Sequence, residues 1–151
     1  MRISIGADHK GIDHKKAIID YLKSKEIAVT DEGPFSSDSV DYPDFAKIVA
    51  GKVSRNEVDF GILICYTGIG MSIVANKFKG VRASLVGLKE DAILTREHNN
   101  SNVLCLSAKN TSISDTIEIV DAYLNTHFTH GRHENRVNKI CVIEDEERKS
   151  I

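Results

Sequence analysis

The chain has 151 residues, 41% hydrophobic and 28% charged, which excludes a disordered protein and is enough for one domain whose core needs no staples. Twenty Lys and Arg against twenty-two Asp and Glu leave a net charge of -2, which argues against a general nucleic-acid surface. The first residues lack a secretory apolar run, no later run approaches a membrane span, and three cysteines without a C-x-x-C pair fit neither a disulfide framework nor a zinc ribbon.

A reduced cytoplasm is the expected home. In chain order, residues 2–6 read as a strand and 10–25 as a helix with Ile12, Ile18, Ile19 and Leu22 on one side. A second strand is expected at 27–30, and residues 32–41 (EGPFSSDSVD) form a turn-rich loop. Residues 43–55 make a helix with Pro43 in its first turn. The run 59–65 is apolar nearly throughout, as a central strand covered on both faces should be. Helices at 69–77, 89–98 and 112–128 then alternate with strands at 81–86 and 102–106. A last helix follows from residue 133 with no strand after it, so it covers a sheet end or lies on a partner chain. The expected fold is a single doubly wound α/β domain over residues 1–151. It has a five-stranded parallel sheet, helices on both faces and an extra C-terminal helix.

Ligands of such sheets bind beyond the carboxyl ends of the strands. That rule selects Asp8-His9 and the run Cys65-Tyr66-Thr67-Gly68-Ile69-Gly70-Met71-Ser72. Glycines there allow a tight strand-to-helix turn whose N–H groups suit a phosphate or a developing oxyanion. An ordinary βα turn is the competing reading, and neither a Walker loop nor a dinucleotide fingerprint is matched. Cys65 ends a strand just before a helix N-terminus, a place that favours thiolate. Cys105 and Cys141 read as small buried hydrophobes. His9 beside Asp8 favours a site role, whereas His98 at a helix end also suits a plain surface imidazole. His127, His130 and His133 are interrupted by Gly131, and no metal is expected on them. Arg132 and Arg136, four apart, could grip a phosphate or simply face solvent.

In order along the chain stand Gly6-Ala7-Asp8-His9, Asp41-Tyr42-Pro43-Asp44, Gly61-Ile62-Leu63-Ile64-Cys65 and Thr67-Gly68-Ile69-Gly70. Ala75-Asn76-Lys77, Arg96-Glu97-His98-Asn99 and Gly131-Arg132-His133 follow them. This series resembles the type B ribose-5-phosphate isomerase family, near relatives of galactose-6-phosphate isomerase subunits, over roughly residues 1–143. The resemblance implies interconversion of ribose 5-phosphate and ribulose 5-phosphate in the pentose phosphate pathway, without metal or organic cofactor. It implies Cys65 as the base that moves a proton between C1 and C2, and His98 as the acid that helps open the furanose ring. Asp8, His9, Tyr42, Thr67, Gly68, Ile69, Gly70 and Asn99 match substrate-binding positions, and Arg132 and Arg136 match phosphate-binding arginines. Tyr66 stands where the family usually has glycine, so its backbone would be strained if φ were positive. Lys109 replaces a frequent phosphate-binding arginine, keeping charge but losing the fork.

A strand of five residues spans ~17 Å, so Cys65 and His98 of one chain are expected too far apart to share a small sugar. The expected assembly is a two-fold homodimer, or a tetramer of such pairs, with each site built from both chains. Two other readings stay open. One is isomerisation of a hexose 6-phosphate of galactose or allose type, and the other is a non-catalytic phosphate-binding module.

Overall fold

A computed structural model describes residues 1–150. Strands β1 (Arg2–Ala7), β2 (Ala28–Asp31), β3 (Phe60–Cys65), β4 (Ala83–Leu85) and β5 (Val103–Ser107) form one sheet. They alternate with helices α1 (Ile12–Ser24), α2 (Tyr42–Ser54), α3 (Ile69–Ala75), α4 (Lys89–Asn99) and α5 (Ile113–Asn125), and α6 (Arg132–Lys149) follows. The spatial order is β2-β1-β3-β5-β4 with every pairing parallel. The chain adds β2 on one side of β1 and β3 on the other, so the switch point falls between β1 and β3. Among the described residues no helix is long and apolar enough to cross a membrane.

The apolar alternation of the central strands builds two cores. On one face Ile3, Ile5, Ile62, Ile64, Leu104 and Leu106 pack under Ile18 and Leu22 of α1 and Ile119 and Tyr123 of α5. On the other, Leu63, Cys65, Val103 and Cys105 pack under Val49 and Val53 of α2 and Met71 of α3. Cys65 therefore points toward the α2/α3 layer. Helix α6 rests against α4 and buries only Val137.

Several elements are shorter than the sequence suggests: α1 and α5 lose residues at both ends, and β4 and α3 are cut back too. The ladder of β4 covers three residues, although Val81 and Val86 on either side of it are buried too. Val81 is buried by core packing at a sheet edge, which periodicity cannot separate from strand pairing, while the Val86 N–H still donates to the Cys105 carbonyl of β5 at 3.0 Å just past the ladder. Helix α3 stops at Ala75 rather than residue 77. There Asn76 turns its side chain onto β4, accepting from the Ala83 N–H at 2.8 Å and donating to the Ala83 carbonyl at 3.0 Å.

Gly11 sets the approach of α1 to the sheet. A Cβ there would lie 2.8 Å from the Ile64 carbonyl oxygen, one residue before Cys65. Gly11→Ala should cost about 1–3 kcal/mol of folding stability through that backbone overlap. Urea denaturation of the two proteins checks this, and an unchanged midpoint would show that α1 can shift freely.

Candidate active site

The β1, β3 and β5 strand ends bring the first group of residues together. The Asp8 N–H donates to the Ile64 carbonyl at 3.0 Å, tying the β1 end to the residue before Cys65. Asp8 itself is buried and its Oδ1 accepts from the Lys10 N–H at 2.9 Å. The next residue, His9, accepts at Nδ1 from the Val40 N–H at 3.2 Å. Cys65 is 4% exposed, and the Gly68 N–H donates to its sulfur at 3.1 Å.

The turn after Cys65 is shaped by two glycines. Gly68 has φ +76°, and a Cβ on it would meet the Leu106 carbonyl oxygen at 2.8 Å. Gly70 lies under the ring of Tyr42, which a Cβ would overlap at 2.5 Å. Thr67 Oγ1 accepts from the Ile69 N–H at 3.3 Å. So Asp8, His9, Tyr42, Cys65, Thr67, Gly68, Ile69 and Gly70 surround one end of the sheet.

Tyr66 is not strained. Among the described residues, those other than glycine with positive φ are Glu26, Asn56, Asn100 and His130. Its carbonyl accepts from the Lys109 N–H and the Ser107 hydroxyl, both at 2.9 Å, which fixes the turn. Its ring is half exposed, with the ammonium groups of Lys109 and Lys10 at 5.6 and 6.0 Å from its centroid. A glycine is therefore not required by this backbone. Lys109 joins the Cys65 group.

The second group sits elsewhere. His98 and Asn99 occupy the last turn of α4, just before β5 begins at Val103. Val103 pairs with Gly61, whereas Cys65 pairs with Ser107. Those four steps of strand put ~13 Å between the two ends of the sheet. The His98 ring stacks on His133 of α6 at 4.1 Å and 10°. Arg132 and Arg136 lie exposed on the same helix with no ion pair among the described residues. Asn99 Oδ1 accepts from the Thr95 hydroxyl at 3.2 Å. The structure thus divides the sequence-predicted residues between opposite ends of one chain. Desolvation, then the His98 charge and the two arginines, holds His133 below its ordinary value of 6.5. The fold therefore favours its neutral form, and that contribution is lost as pH falls through 6.5.

Two charged residues to which the sequence reading gave no role support these groups. Arg96 is buried against the rings of Phe60 and Tyr123, and burial lowers its pKa. It donates to the Ser101 carbonyl, to Asn100 Oδ1 at 3.1 Å and to the Thr126 carbonyl at 3.3 Å. These bonds fix the turn that follows His98. Lys15, 3% exposed, bonds Asp31 and the Pro34 carbonyl, both at 2.7 Å. Both fall on the buried stripes of their helices, with Ala92 four before Arg96 and with Ile18 and Leu22 after Lys15. That spacing was the available signal. Cys105, fully buried, has its thiol pushed up by desolvation and takes no part.

The family model described as Ribose/Galactose Isomerase matches residues 3–140, and the chain belongs to that family. Within it, the chain groups with the type B ribose-5-phosphate isomerases. It is 49% identical over 146 residues to the probable ribose-5-phosphate isomerase B of Mycoplasma genitalium, covering 95% of this chain and 96% of that one. To ribose-5-phosphate isomerase B of Escherichia coli it is 43% identical over 143 residues, again covering 95% and 96%. The crystal structure of the Mycoplasma genitalium enzyme with bound ribulose-5-phosphate superposes with a TM-score of 0.94 at 48% identity, over 96% of this chain and 97% of that one.

Arg96→Ala should lower folding stability by about 2–4 kcal/mol, because three acceptors lose their donor in a buried place. Thermal and urea unfolding check this, and a variant as stable as the parent would make Arg96 dispensable.

Proposed function

We propose that the chain, as one sugar-phosphate isomerase domain over residues 1–151, interconverts D-ribose 5-phosphate and D-ribulose 5-phosphate in the cytoplasm. The observation that carries this reading is the Cys65 sulfur, placed at the end of β3 with the Gly68 N–H aimed at it. His98 gives a proton to the ring oxygen O4 as the C1–O4 bond breaks, and the C1 hydroxyl loses its proton to solvent as C1=O forms, leaving an open-chain aldose. Cys65, as thiolate, takes the C2 proton; the C1 carbonyl oxygen becomes the enediolate oxygen. The N–H groups of the Thr67–Gly70 turn stabilise that charge. Return of the proton from sulfur to C1, with transfer of the O2 proton to O1, gives the ketose. No metal or organic cofactor enters these steps. Lys109, Arg132 and Arg136 hold the phosphate, whose binding energy positions the reacting carbons. Asp8, His9, Tyr42, Tyr66 and Asn99 contact the sugar.

Because the two groups stand at opposite ends of the sheet, the working unit in this reading is a two-fold homodimer, alone or paired into a tetramer. Each site takes Cys65 from one chain and His98, Arg132 and Arg136 from the other. Apolar side chains left at the surface support such contacts: Ile69 and Ile73 on α3, Leu85 and Leu88 at the β4 edge, and Ile140 and Ile143 on α6 are each at least 45% exposed.

Cys65→Ser, assayed on ribose 5-phosphate with chelator present, should lose about 10²- to 10⁴-fold in kcat. Full activity in the serine variant, or loss of parent activity to chelator, would overturn the mechanism. A parallel assay on galactose and allose 6-phosphates should show the parent slower on both.

The shared site has its own test. Mixing Cys65→Ala with His98→Ala chains should restore activity, since each heterodimer regains one intact site. Heterodimers as inactive as their parents would place both groups in one chain.

A further inference from the structure

His9 is read above as a substrate contact. The question the structure answers is which of its nitrogens carries a proton. A neutral imidazole has one N–H, and the hydrogen bond made by one nitrogen decides the state of the other. The Val40 N–H donates to His9 Nδ1 at 3.2 Å. An Nδ1 that accepts a backbone proton holds a lone pair there, so the proton of the neutral ring is on Nε2. Adding a second proton at Nδ1 would set two N–H groups against each other.

The loop that supplies Val40 is anchored from its other end. Lys15 reaches across from α1 and donates to both Asp31 and the Pro34 carbonyl at 2.7 Å. Asp31 Oδ1 in turn accepts from the Gly33 N–H at 2.9 Å, and the Gly33 carbonyl accepts from the Ala7 N–H at 3.0 Å. Ala7 is two residues before His9. The face of Phe35 covers the ammonium group at 5.2 Å. A buried lysine charge held by two acceptors and a ring gives the loop a fixed path on the β1 side of the site.

We propose that the Val40 amide locks His9 as the neutral Nε2–H tautomer, and that Lys15 is the positioning residue that holds the loop in place to do so. His9 then offers the sugar phosphate one hydrogen-bond donor and no charge. The positive charge comes from lysine and arginine side chains alone. The inference rests on the reading of His9 as a substrate contact, but the tautomer can be read without substrate.

The test uses the full-length protein with ¹⁵N-labelled histidine at pH 7.5. The His9 ring should show the chemical shifts and couplings of a protonated Nε2 and a bare Nδ1, the signal being assigned by its loss in His9→Ala. Val40→Pro removes the donated proton and restrains the local backbone, and Lys15→Met releases the loop; in each the His9 signals should move toward a mixture of tautomers. Both variants should raise KM for ribose 5-phosphate by about 2- to 10-fold, the worth of one hydrogen bond, with kcat within about twofold of the parent. A His9 ring protonated on Nδ1 or on both nitrogens in the parent overturns the proposal. So does an unchanged Nε2–H signature in folded Val40→Pro. If Lys15→Met unfolds, the parent spectrum and Val40→Pro still decide the tautomer. His9→Ala with an unchanged KM would instead overturn the substrate role, leaving the tautomer to stand on its spectrum.

Discussion

A parallel strand cannot bring its two ends together, and the organisation of this protein follows from that constraint. Cys65 closes β3 while His98 sits in the turn that leads into β5, and the register between these strands leaves them at opposite ends of the sheet. Every connection in such a sheet returns through a helix that runs the other way. Side chains in the first turn of a helix and those in its last turn are therefore sorted to different ends. In the function proposed for this chain, the residues carried on the two kinds of turn are two half-sites that a second copy would complete.

Each half has its own means of staying in place. Around Cys65 the backbone does most of the positioning, through the Gly68 N–H on the sulfur and the double acceptance at the Tyr66 carbonyl. Around His98 a buried cation does it, with Arg96 satisfying the Ser101 carbonyl just beyond α4 and the Thr126 carbonyl at the C-cap of α5. A guanidinium buried without a carboxylate partner is costly unless its donors are filled. Here backbone oxygens and two aromatic faces fill that role.

Much of this was legible in the sequence. The alternation of short apolar runs with helical spacing gave the layered sheet, because strands buried on both faces are apolar at almost every position, as in Phe60–Cys65. The placement of Cys65 ahead of a tight turn was readable too, since Gly68 and Gly70 follow the strand end by three and five residues. The three-residue β4 was not, because Val81 is buried by core packing and Val86 bonds β5 just past the end of the ladder. Lys15 and Arg96 escaped for a different reason. A charged residue on a helix usually marks the solvent side, and only its spacing from Leu22 or Ala92 contradicts that. The strain foreseen at Tyr66 depended on a dihedral angle that no side chain announces.

The loop between β2 and α2 is pinned at its two margins, by Lys15 near Pro34 and by His9 at Val40, while Ser36, Ser37, Asp38 and Ser39 between them face solvent. Its middle is free to drift in composition and to accept inserted residues without disturbing the chemistry beneath it. In this fold that stretch is the cheapest place to add a tag, a label or a new recognition element.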